Sequence, residues 1–137
     1  MAEVLVDSNV LLDVVTEDAR WFDWSSDALA RCAEGATLVV NPIIFAEVSI
    51  SFDRIEDLDA LLAPGVVERA ALPWEAAFLA GKAFVRYRKR GGRRGSTLPD
   101  FYIGAHAAVA GMALLTRDAA RYRTYFPDVR LIAPERA

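Results

Sequence analysis

Apolar positions along the chain change period from segment to segment. Val4 to Val6 form a short unbroken apolar run, the pattern of a strand buried on both faces. Asp7 ends that run, and apolar residues resume at once with Val10, Leu11 and Leu12. Between residues 19 and 33, Trp21, Trp24, Ala28 and Cys32 keep helical spacing and Gly35 follows as a stop, which predicts a helix. Thr37 to Val40 predict a second strand. Asn41 followed by Pro42 predicts a sharp turn into a capped helix carrying Ile43, Ala46, Glu47 and Ile50. Ile55, Leu58, Leu61 and Leu62 predict a short helix closed by Pro64-Gly65, and Val66 to Ala70 predict another strand.

Pro73 opens a long predicted helix in which Trp74, Ala77, Phe78, Gly81, Phe84 and Val85 keep the helical period. It runs into a basic segment and stops at Gly91-Gly92. "GGRRGSTL" has the composition of a loop. Pro99 then opens a helix to about Ala110, Leu114-Leu115 predict a short strand, residues 118–125 a short helix, and Val129 to Ile132 a last strand. Trp21, Trp24 and Trp74 all fall at core spacing and predict packing. Strands alternating with helices over 137 residues predict one α/β domain, its mostly parallel sheet covered on both faces.

Composition supports this. Hydrophobic residues are 54% of the chain, enough for a full core. The longest uncharged run, Phe101 to Thr116, is shorter than the ~18–20 residues of a membrane span. Glu3 and Asp7 near the start, without a basic cluster, do not resemble a signal peptide. Cys32 is the only cysteine, which excludes an internal disulfide and any cysteine metal site and fits a reducing cytoplasm. It reads as a small buried hydrophobe. The net charge of −3 hides an asymmetry: "RYRKRGGRR" at 86–94 holds six basic residues and no acid, leaving the rest of the chain at −9. A basic stripe on an acidic body suggests a polyanion contact beside an acidic site.

Four carboxylates fall at predicted element ends. Asp7 follows the first strand, Asp118 follows "ALLTR", Asp100 lies behind Pro99 at a helix start, and Glu47 lies about one turn into the helix after "LVVNP". Ligands of open α/β sheets gather at the carboxyl ends of the strands. Each acid has an ordinary structural explanation: Asp100 and Asp118 suit helix N-termini, and Asp7 suits a turn. Glu47 is harder to explain so, lying among Ile43, Ile44, Phe45, Ala46 and Val48. Together in one partly desolvated pocket the four would repel one another, and a hard divalent cation such as Mg²⁺ or Mn²⁺ removes that penalty.

"VLVDSNVLLDV", "NPIIFAEVSISF", "LPDFYIGAHAAVAGMALLTRDAARYRTYFP" and "VRLIAP" resemble PIN-domain proteins, and more narrowly VapC-type toxins of bacterial toxin–antitoxin pairs. The resemblance runs nearly end to end. It implies a single PIN domain over 1–137, a three-layer α/β/α sandwich, and a Mg²⁺-dependent endoribonuclease that Mn²⁺ also supports. Its acidic quartet maps onto Asp7, Glu47, Asp100 and Asp118, with Asn9 and Thr116 as small polar residues that orient ligands or water and Ser8 in a neighbouring position of the first motif. Asp7 and Asp100 are the expected direct metal ligands. Glu47 ligates or steers the attacking water, and Asp118 stands behind them or at a second metal. The resemblance also implies a cytoplasmic homodimer silenced by a small antitoxin, which would use the apolar helices at 43–50 and 55–62.

Arg86, Lys89, Arg90, Arg93 and Arg94 are the expected RNA-phosphate contacts, against the alternative of a solvated helix end. Tyr87 and Tyr102 are candidates to stack on bases. His106, the only histidine, lies well off the face of Asp100 and reads as structural. Asp13 reads as a surface or capping residue. Two other functions compete: a module that binds RNA or protein without cutting, and an Asp-based phosphatase. Such phosphatases usually carry a second Asp two residues after the first, where this chain has Asn9.

Overall fold

The computed structural model describes residues 2–92 and 98–135. Five strands of the described residues form one sheet: β1 (Ala2–Val6), β2 (Ala36–Val40), β3 (Val67–Arg69), β4 (Ala113–Leu115) and β5 (Leu131–Ile132). Their order is β3-β2-β1-β4-β5 and every pairing is parallel. Among the described residues, seven helices connect and flank them: α1 (Ser8–Val15), α2 (Phe22–Gly35), α3 (Pro42–Ser49), α4 (Ile55–Leu61), α5 (Trp74–Lys89), α6 (Leu98–Ala110) and α7 (Ala120–Tyr125). This is the predicted α/β/α arrangement. Leu5, Val6, Val39, Val40, Leu114 and Leu115 are buried in the three central strands, as a sheet covered on both faces requires. None of the described helices is long and apolar enough to cross a membrane.

The chain leaves β1 toward β2 on one side and returns to β4 on the other, so β1 and β4 flank the topological switch point. Asp7 follows β1 and Thr116 follows β4 there, and the Asp7 backbone N–H donates to Leu115 O at 2.9 Å. Asn41 caps α3 as predicted: its Oδ1 accepts from Ile44 N at 2.9 Å, with Pro42 in the first turn. Its Nδ2 is then left to donate to His106 Nδ1 at 3.0 Å, which puts the neutral ring's proton on Nε2. His106 is buried and structural, as expected. Cys32 is half-buried against the core, and burial pushes its thiol up.

Two expectations need correction, and one helix is not among those expected. Helix α1 emerges from the run Val10-Leu11-Leu12, which is too short to display a period. Asp13 on that helix is not on the surface: it is 2% exposed and paired with Arg117. Trp74 does not pack inside the chain. It is 88% exposed, with Phe78 and Val85 also exposed, because α5 turns Ala76, Ala80 and Ala83 inward. The small residues let α5 lie close against α6, whose Phe101 meets Phe84 and Tyr87 with ring centroids 5.8 and 5.4 Å apart. Ile50 and Ile55 are likewise exposed.

Candidate active site

Asp7 is the buried centre of the site, at 2% exposure. Its Oδ2 accepts from Thr116 Oγ1 and Tyr122 Oη, each at 2.9 Å, and more weakly from Asn9 Nδ2 at 3.4 Å. Its Oδ1 is poorly served. Ser8 Oγ lies 3.5 Å away, but that hydroxyl's single proton is better placed on Glu47 Oε1, at 2.8 Å. Burial pushes the Asp7 pKa up to about 6. Hydrogen bonds from Thr116 and Tyr122 oppose the shift, and the charges of Asp100 and Glu47 add to it. Burial raises Glu47 as well, against the Ser8 hydrogen bond and with help from Asp100.

Asp100, in the first turn of α6, is half-buried and its Oδ2 pairs with Arg121 Nη1 at 2.6 Å. Burial still raises its pKa, against the Arg121 charge and hydrogen bond, and Asp118 adds to the rise. Asp118 is exposed. Its backbone N–H donates to Thr116 Oγ1 at 3.2 Å, which fixes the turn after β4. Asp7, Asn9, Asp100, Asp118, Arg121 and Tyr122 line a cleft of about 130 Å³. Glu47 is not among the residues that line it and accepts from the Ser8 hydroxyl. Three of the predicted carboxylates, Asp7, Asp100 and Asp118, therefore share one cleft, and the fourth, Glu47, is linked to Asp7 through Ser8.

Asn9 has a definite role in this geometry. Its Nδ2 also donates to Thr116 Oγ1 at 3.2 Å, and its Oδ1 accepts from Arg117 N at 3.3 Å. One carboxamide thus spans β1, α1 and the turn after β4. Behind it, Arg117 Nε donates to Asp13 Oδ2 at 2.8 Å and Ser25 Oγ donates to the same oxygen at 2.7 Å. Tyr122 and Arg121 escaped the sequence reading. Both lie one turn past Asp118, and only the α7 fold turns them back toward Asp7 and Asp100.

The donors are all hard oxygens, burial disfavours the charge on Asp7, Glu47 and Asp100, and the buried Asp7 Oδ1 lacks a strong donor. That chemistry suits Mg²⁺ or Mn²⁺. Among the described residues, no three such groups are already gathered as a chelate. The cation within the cleft is instead the Arg121 guanidinium.

Arg86, Lys89 and Arg90 are exposed at the end of α5, while Arg93 and Arg94 lie outside the described residues. Arg86 reaches Tyr125 O on α7 at 3.4 Å, and the Arg90 guanidinium lies 5.7 Å from the Tyr125 ring centre. The basic helix end is thereby tied to the element beside the cleft. Tyr87 does not stand free for a base: it packs among Phe84, Phe101 and Tyr125, under the Arg121 guanidinium. A larger cleft, about 600 Å³, opens at the amino ends of the strands among Glu3, Arg31, Cys32, Asp128 and Arg130. Its charges are of mixed sign.

The PIN-domain profile matches residues 4–127. Comparison with curated protein sequences gives no match. Among solved structures, VapBC2 from Rickettsia felis, bound to a promoter DNA fragment, aligns at 19% identity and TM-score 0.73, over 97% of this chain and 99% of that one. DNA-bound VapBC from Salmonella typhimurium aligns at 14% and 0.68, over 97% and 98%. A toxin–antitoxin complex from Klebsiella pneumoniae aligns at 19% and 0.65, over 87% and 89%. At these identities the structures speak for the fold, and the profile, running from β1 past the Asp118 turn, speaks for the lineage: the chain belongs to the PIN-domain family.

Proposed function

We propose that residues 1–137 act as one PIN domain, a Mg²⁺-dependent endoribonuclease serving as the toxin of a toxin–antitoxin pair. The observation that carries the nuclease reading is that Asp7, Asp100 and Asp118 share one cleft, with Asp7 buried and within the electrostatic reach of Glu47. A divalent ion there would supply Lewis-acid stabilisation of the phosphodiester and a more acidic attacking water. Asp7 and Asp100 would hold it, with Asp118 behind them. Thr116 and Tyr122 keep Asp7 Oδ2 fixed, so Oδ1 would be the oxygen available to hold the ion. Ser8 orients Glu47, whose second oxygen would direct the water. Attack by water would leave a 5′-phosphate and a 3′-hydroxyl. Arg86, Lys89, Arg90, Arg93 and Arg94 would hold flanking RNA phosphates.

The toxin reading draws on the VapBC structures and on the exposed apolar groups Ile50, Ile55, Trp74 and Phe78. These suit a homodimer contact and a small cytoplasmic antitoxin. A basic antitoxin residue would find the acidic cleft. The test is RNA cleavage by the purified chain with Mg²⁺, with EDTA, and in Asp7→Asn and Asp100→Asn. Cleavage should fall by orders of magnitude in EDTA and in each variant while the fold survives. Undiminished cleavage in EDTA or in both variants rejects the mechanism. Co-expression with the neighbouring small gene tests the pairing: a chain that stays monomeric, is harmless alone and gains no inhibitor is a nuclease but not a toxin.

A further inference from the structure

The basic group lining the cleft comes from the chain itself. Arg121 Nη1 lies 2.6 Å from Asp100 Oδ2, and each side chain is about one-third exposed, at 33% and 34%. The guanidinium has a second support, the face of Tyr87, with its central carbon 5.5 Å from the ring centre. Tyr87 is itself held by Phe84, Phe101 and Tyr125. Arg121 is therefore a braced group with two partners, one anionic and one aromatic. Asp100 is the carboxylate this pairing engages, and it is also a nominated metal ligand.

We infer that Arg121 is a built-in counter-cation of the acidic cleft, which holds Asp100 in the metal-free protein and must release it when a divalent ion binds. This rests on the metal-dependent reading above. A guanidinium and a divalent ion on one carboxylate repel each other, so the two compete for Asp100. Without the ion, Arg121 offsets part of the repulsion among four acids. With the ion bound, the Tyr87 face keeps the guanidinium in place beside the cleft. The divalent affinity of this chain is thus set lower than its carboxylates alone would give.

The test is calorimetric titration of Mn²⁺, and of Mg²⁺, into the apo full-length chain and its variants. Arg121→Gln removes the competitor and should tighten Mn²⁺ binding roughly tenfold, the scale of a screened ion pair plus one removed like charge. Arg121→Lys keeps the charge and should fall between that variant and the parent. Asp100→Asn should weaken binding. A second readout needs no variant: the Arg121 Nε–Hε resonance of the unaltered protein should shift during Mg²⁺ titration and saturate with the calorimetric Kd. An Arg121→Gln affinity equal to or weaker than the parent's, or an unmoved resonance at saturating Mg²⁺, overturns the inference and leaves the metal site standing. Absence of Mn²⁺ binding by every form, or binding unaffected in Asp7→Asn and Asp100→Asn, overturns the metal reading instead.

Discussion

Asp7 accepts hydrogen bonds from Thr116 and Tyr122 and still holds its proton up to about pH 6, because burial outweighs both donors. Its pKa is raised on folding from 3.8, so its contribution to stability is full below about pH 4 and lost as pH rises through about 6. A shift of that size corresponds to about 3 kcal/mol. In EDTA, Asp7→Asn should therefore be more stable than the parent at pH 7.5 by up to about 3 kcal/mol. The advantage should vanish near pH 4. Urea denaturation of both proteins at several pH values measures the gap directly. Taking the difference also removes the contribution of His106, whose burial-lowered pKa acts in the opposite sense. A gap independent of pH would mean that Asp7 titrates normally. At the same scale, Asn41→Ala removes a helix cap and orphans His106 Nδ1, and should cost about 2 kcal/mol in the same assay.

Helix α1 and the turn after β4 are joined twice, through Asn9 and through the Asp13–Arg117 pair. Asp13 is buried and Arg117 is 31% exposed, so the pair is only partly screened. Asp13→Ala would leave Arg117 and Ser25 without their shared acceptor. It should cost roughly 2 kcal/mol, below the full value for a buried pair. RNA cleavage should fall with it, since the same turn carries Thr116 and Asp118. Kinetics well below the melting temperature separate the two effects, and unchanged cleavage there would leave the pair a purely structural strap. Helix α5 presents the opposite case. Trp74→Ser and Phe78→Ser remove exposed side chains and should change stability by no more than about 0.5 kcal/mol. If that stripe is an interface, the variants should lose assembly in size-exclusion chromatography and nothing else.

Across the whole molecule, a basic helix end stands beside an acidic cleft on a chain of net charge −3. Neutralising Arg90, Arg93 and Arg94 should flatten the slope of log K against log salt for single-stranded RNA by about 2, at ~0.7 per contact. An unchanged slope would make them a solvated helix end. Much of this architecture was legible in the sequence. The alternation of strands and helices, the Asn41-Pro42 turn and the four acids at element ends are local signals, set by neighbouring residues and by the backbone hydrogen bonds they must make. The resemblance carried by those motifs named the family that the profile then matched. Other features depended on residues far apart in the chain. Periodicity marks two stripes on α5, Trp74-Phe78-Val85 and Ala76-Ala80-Ala83, and hydrophobicity alone favours the wrong one. Close approach to α6 selects the alanines. No local pattern says that Arg121 reaches Asp100 or Tyr122 reaches Asp7, contacts that span 21 and 115 residues. Sequence by itself determined which groups stand at the ends of the strands. Only the tertiary structure decided which of them lose water and which meet a counter-charge, because desolvation and Coulomb energy depend on distance in space.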